Sequence, residues 1–149
     1  MVMQIIGLLM ALFTVCSVQA QKTEDVTKWA LRAEKIDATT YDLIADVEIN
    51  PGWYIYSQFL APDEGPIPTS FTFVASAKLM SKKEGGKKHE AFDPIFEMHL
   101  VKFSEKATFT SRVKVPAGST KLQGSYIFMT CDDTKCLPPI EQKFTVALN

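Results

Sequence analysis

Apolar and polar side chains alternate along residues 41–49. Tyr41, Leu43, Ala45, Val47 and Ile49 fall on one face, Asp42, Asp46 and Glu48 on the other, and Ile44 breaks the pattern. A period of two predicts a half-buried strand. Asn50, Pro51 and Gly52 predict a turn, since proline fixes φ and glycine admits a positive one. The aromatic run WYIY at 53–56 resumes as a short strand, and a proline-rich loop over 61–68 leads to another at 70–75. Two strands are expected over 97–103 and 107–115, joined by Ser104, Glu105 and Lys106. In the second, Ala107, Phe109, Ser111, Val113 and Val115 oppose Thr108, Thr110, Arg112 and Lys114. A turn at 116–119 precedes a last pair over 121–131 and 140–148. Residues 21–27 read as a polar lead-in. The lysine pairs Lys82-Lys83 and Lys87-Lys88 around Gly85 and Gly86 read as a solvated turn.

No amphipathic helix longer than a turn or two is expected, and no internal repeat emerges. Short strands at regular spacing between Gly/Pro turns predict an all-β, immunoglobulin-like antiparallel sandwich, without the Cys–Trp–Cys spacing of antibody domains.

The first twenty residues carry no charged side chain, and the apolar stretch from Ile5 to Val15 is too short to span a bilayer. It ends in Val18, Gln19 and Ala20, the small-residue pattern of a secretory signal, here without the usual basic n-region. Residues 1–20 are therefore expected to be a cleaved signal peptide and residues 21–149 a single domain. A retained anchor or a lipid-modified Cys16 is the competing reading, but for the latter Val15 is bulkier than the small residue such cleavage requires. Cleavage removes Cys16 and leaves Cys131 and Cys136 in an oxidising compartment, where disulfides persist. The formal net charge is −1. No basic cluster is interleaved with aromatics, which argues against a nucleic-acid partner. No later stretch is long enough to insert stably in a membrane.

The candidate chemistry lies in FMTCDDTKCLPPI, residues 128–140. Cys131 ends one expected strand and Cys136 approaches the next, so the pair spans a hairpin mouth within disulfide reach. A structural bridge closing so short a loop contributes roughly 2 kcal/mol in the chain-entropy model, little for a domain with its own core. A reversible dithiol on an exposed loop is the alternative. Asp132 and Asp133 disfavour a thiolate there and Lys135 favours one, so local charge does not choose. A soft metal site would have to draw on Met98, Met129, His89 or His99; zinc requires four ligands, and there is no second cysteine pair. No metal and no cofactor is expected. The aromatics Trp53, Tyr54 and Tyr56 read as core rather than as a recognition patch. Asp63 and Glu64, or Glu90 and Asp93, are acids whose separation nothing in the sequence fixes. No nucleophile motif, phosphate loop or nucleotide fingerprint is present.

Residues 126–139, an aromatic strand running into cysteine, a short polar loop, a second cysteine and a double proline, resemble the redox hairpin of the amino-terminal domain of the thiol:disulfide interchange protein DsbD. Residues 51–56 are similar to that family's aromatic strand after a glycine turn. The resemblance implies an immunoglobulin-like, periplasmic thiol–disulfide oxidoreductase whose Cys131–Cys136 pair passes electrons to oxidised exported proteins. Cys136 would attack and Cys131 resolve. It also implies a cap loop shielding the disulfide, matched here by residues 90–96, with Asp93 in the loop and Phe92 or Phe96 as the covering ring. The spacing here is Cys-x4-Cys, one residue shorter than in the best-known members. Read as a free-standing module, the chain is expected to need a membrane-embedded thiol reductase as a separate electron donor. The competing function is a β-sandwich binding module whose bridge only stiffens a hairpin.

Overall fold

The computed structural model describes residues 26–149; the expected signal peptide and Cys16 lie outside the described residues. These residues form nine strands and no helix: β1 (Thr27–Lys35), β2 (Thr40–Ile49), β3 (Tyr54–Tyr56), β4 (Ser70–Phe73), β5 (Lys78–Asp93), β6 (Met98–Lys114), β7 (Lys121–Phe128), β8 (Thr130–Cys131) and β9 (Ile140–Ala147). One antiparallel sheet has the order β1-β2-β6-β3-β8, with β5 also paired to β6; the other is β4-β7-β9. This is the expected all-β sandwich.

The alternation along 41–49 holds. Tyr41, Leu43, Ala45, Val47 and Ile49 all enter the core between the sheets, as do Ala107, Phe109 and Val113 from β6 and Val115 just beyond it. Ile44 and Asp42 are buried on the opposite face, where Asp42 takes a two-toothed ion pair from Arg112 at 2.7 and 2.8 Å.

Three expectations need correction, and one strand has no counterpart among them. Residues 98–114 form one continuous strand rather than two. Glu105 turns to a φ of 59°, and the β5 register jumps from Gly86↔Ala107 to Lys87↔Ser104, so the expected linker is a bulge that bends the strand without ending it. The lysine pairs lie not in a turn but within β5, a 16-residue strand exposed along most of its length. Residues 27–35 form β1, whose Trp29 packs its ring 4.9 Å from those of Tyr126 and Phe128. Finally, the expected strand 121–131 is divided at Met129: β7 belongs to one sheet and β8 to the other.

That last division creates the site. The chain leaves the smaller sheet after Phe128, pairs briefly along the edge of the larger one, and returns at Ile140 to pair with β7 over eight positions. Ile55 and Phe103 face the core between the sheets, so by strand alternation Tyr56 and Leu100 face outward. There they join Met129 and Cys131 in a second, smaller apolar cluster, covered by Leu60, Ile67, Ile95, Phe96, Met98 and Cys136.

Candidate functional site

The hairpin carrying the cysteines is built by short-range bonds. The amide of Asp132 donates to the Lys135 carbonyl and that of Leu137 to the Thr130 carbonyl, both at 2.9 Å. Inside the turn, Asp132 Oδ1 accepts from the amides of Thr134 and Lys135, each at 2.7 Å, and from the Thr134 hydroxyl at 2.9 Å. These bonds, led by the Thr134 amide, hold the Asp132 carboxyl below its ordinary pKa. The tight turn brings Cys131 and Cys136 to a Cα separation of 4.0 Å, and they are disulfide-bonded. Pro138 and Pro139 follow; lacking amide protons, they end the edge pairing before β9 begins.

The two sulfur residues are not equivalent. Cys131 is 1% exposed and lies opposite Tyr54 in the β3–β8 ladder, whereas Cys136 is half-buried. Lys135, read from sequence as a thiolate-favouring charge, lies with its ammonium 5.9 Å from the centre of the Trp53 ring. Asp133 is exposed.

The loop between β5 and β6 runs alongside. Phe96 packs on the cluster that contains Cys131, with its ring edge-on to Tyr56 at 6.0 Å. Phe92 does not; it is 55% exposed and meets the ring of the exposed His99. Asp93, which the sequence offered as a loop acid, is buried and turned inward. Its Oδ1 accepts from the amides of Ile95 and Phe96 at 3.0 and 3.3 Å. Its Oδ2 accepts from the Lys102 ammonium at 2.9 Å and from the Tyr56 hydroxyl at 3.3 Å. Burial pushes the Asp93 carboxyl up, but the Lys102 hydrogen bond and the two loop amides outweigh it, so the net shift is downward. Burial, and then the Asp93 charge, push the Tyr56 hydroxyl far above the ordinary phenol value.

Lys102 is the residue that sequence reasoning missed. It stands in β6 between Leu100 and Ser104 on the outward face, and its ammonium also lies 4.2 Å from the centre of the Tyr54 ring. Its sequence signal is faint: a lysine at a position where the alternation of 98–104 calls for an apolar residue. Tyr54 also meets the ring of His89, whose Nε2 lies 2.7 Å from the Ser104 hydroxyl. His89 is thus engaged away from Met98 and Met129, which pack together in the apolar cluster with Cys131. Among the described residues no group of three or more His, Cys, Asp or Glu side chains is arranged to hold a metal ion. Asp63 and Glu64 are exposed loop residues, and Glu90 does not share the burial of Asp93.

Comparison with known proteins agrees with this architecture. The family model of the N-terminal domain of the thiol:disulfide interchange protein DsbD matches residues 18–148. No curated protein sequence matches the chain. Among solved structures, the reduced DsbD N-terminal domain of Neisseria meningitidis is similar, with a TM-score of 0.54 and 14% identity over 80% of this chain and 85% of that one. The N-terminal periplasmic domain of ScsB from Proteus mirabilis is similar with a TM-score of 0.60 and 16% identity, over 87% of this chain and 49% of that one. At these identities the two structures speak for the fold. The family match, spanning nearly the whole chain and including the bridged hairpin, makes the conclusion plain: this protein belongs to the family of DsbD N-terminal domains, modules of thiol–disulfide interchange.

Proposed function

We propose that the chain is an exported thiol–disulfide oxidoreductase that passes electrons through Cys131 and Cys136 to oxidised exported proteins. In this reading residues 1–20 are a signal peptide, residues 21–149 form a single periplasmic domain, and a membrane-embedded thiol reductase supplies the electrons. One observation carries it: the bridge lies on an excursion at a sheet edge, outside the core that holds the sandwich, with one sulfur residue buried and the other accessible.

The reaction is two successive displacements. The Cys136 thiolate attacks a sulfur of the partner's disulfide, forms a mixed disulfide and expels one partner thiolate. The Cys131 thiolate then attacks Cys136, reforms the intramolecular bridge and expels the second partner thiolate. The partner gains two electrons and two protons; the carrier loses them and is reduced again by its donor. Cys136 is the attacking group because it is the more exposed. Cys131, buried beside Tyr54, resolves because the turn holds it against its partner sulfur. Phe96, rather than Phe92, is the ring that covers the pair between encounters.

The reduction potential of the Cys131–Cys136 couple tests this reading. Exchange proteins lie at roughly −120 to −270 mV, whereas structural bridges of secreted proteins lie below about −300 mV. A value in the second range would leave a binding module with a stiffened hairpin.

A further inference from the structure

We infer that Lys102 is a positioning residue for the exchange reaction, holding Asp93 inward so that Asp93 can hold the backbone carrying Phe96 over the disulfide. The inference rests on the covering role proposed for Phe96. It adds the device that keeps the cover closed.

Asp93 is the hinge of the arrangement. One carboxylate oxygen binds the amides of Ile95 and Phe96, and both of those side chains pack on the Cys131 cluster. The other oxygen binds Lys102 and Tyr56. Asp93 is 1% and Lys102 6% exposed, so water cannot stand in for either partner. A buried carboxylate that loses its counter-charge must take up a proton or turn out to solvent. Turning out breaks both amide bonds at once and frees residues 95 and 96 together. Lys102 also lies over the ring of Tyr54, the register partner of Cys131. The same ammonium therefore touches the strand beside the buried cysteine and, through Asp93, the loop beside the bridge.

The test uses the oxidised full chain and dithiothreitol, a small dithiol, so neither the natural partner nor the potential enters. If the closed loop uncovers the bridge for about 1–10% of the time, releasing it speeds reduction by about ten- to a hundredfold. Lys102→Met is expected to show that acceleration, with faster hydrogen exchange at the Ile95 and Phe96 amides. Adding Asp93→Asn, which removes the stranded charge but keeps an oxygen for both amides, should return both quantities toward wild type. A purely packing role for Lys102 would not respond to a change at Asp93. The inference is overturned if Asp93→Asn restores nothing, or if Lys102→Met leaves reduction unchanged while Phe96→Ala accelerates it. If Phe96→Ala also has no effect, the cover fails and the inference with it. Should Lys102→Met alone not fold, two neutral pairs replace it. Lys102→Met with Asp93→Ala, which has no acceptor, must be reduced about tenfold faster than Lys102→Met with Asp93→Asn; equal rates overturn the inference. The exchange reading is judged separately, by the potential.

Discussion

Removing the bridge should weaken the domain without unfolding it. Cys131 and Cys136 are five positions apart, so the crosslink closes a loop of six residues. The chain-entropy relation gives about 7 cal/mol/K for such a loop, or about 2 kcal/mol at room temperature. The structure adds little to that figure. The pairing of β7 with β9 runs from Lys121↔Ala147 to Phe128↔Ile140 without help from the hairpin, and the main core lies between the sheets. The variant should be Cys131→Ala with Cys136→Ala. A serine at Cys131, which is 1% exposed, would bury a hydroxyl at a further cost of about 1–3 kcal/mol. For the 124 described residues, 2 kcal/mol corresponds to a fall in Tm of about 8 °C. Thermal and urea unfolding followed by circular dichroism would compare the variant with the oxidised parent; both should unfold in one cooperative step. Loss of cooperativity, or a fall beyond about 20 °C, would show that the bridge holds the edge of the sheet together and would remove the main reason for treating it as a working bond.

Three further outcomes follow from the geometry. Expressed in the native host and run on non-reducing gels, Cys131→Ser should accumulate a mixed disulfide with exported proteins, because Cys136, half-buried and the more accessible of the two, lacks a resolving thiol; stronger trapping by Cys136→Ser would reverse the two roles. Gly124→Ala should cost about 1–3 kcal/mol in urea unfolding. A Cβ there would run into the Thr72 carbonyl oxygen and lie 2.8 Å from Cζ of Phe144, so an unchanged midpoint would contradict the packing of the smaller sheet. Asp42→Asn should cost about 1 kcal/mol at pH 7, discounted for the partly exposed Arg112, and should flatten the acid limb of the stability curve. The Arg112 hydrogen bond lowers the folded pKa of Asp42, so its contribution is complete above the unfolded value near 4 and fades as pH falls through the folded one. An acid limb identical to that of the parent would refute the assignment.

What could be read beforehand depended on how each strand is buried. β2 and the later half of β6 bury one face against the other sheet, so their alternation is written plainly in residues 41–49 and 107–115. β5 offers no such record. It lies at an edge and is exposed along most of its length, so selection for burial leaves no period, and the Gly85-Gly86 step looks like a turn when it is part of a bulge. β1 was obscured by Ala30, a small apolar residue on its exposed side, which blurs the inward row of Trp29, Leu31 and Ala33. The cysteine pair was legible because its turn is local: Asp132 and the intervening residues define it within six positions. The Asp93–Lys102–Tyr56 contact was not, because it joins three strands or loops through side chains that are each unremarkable in sequence. Only the fold brings a tyrosine, an acid and a lysine, drawn from residues 56–102, beneath one loop.

The excursion that carries the cysteines also frees the length of their loop. The β7–β9 ladder is fixed by its own pairs, and the hairpin hangs outside it between Phe128 and Ile140. A residue can be gained or lost within 132–135 without slipping that ladder, whereas the same change inside β7 would turn every following side chain to the wrong face. The spacing of a sulfur pair can therefore drift over evolutionary time while the sandwich beneath it stays in register, and a Cys-x4-Cys hairpin and a longer one are variations that one scaffold can carry.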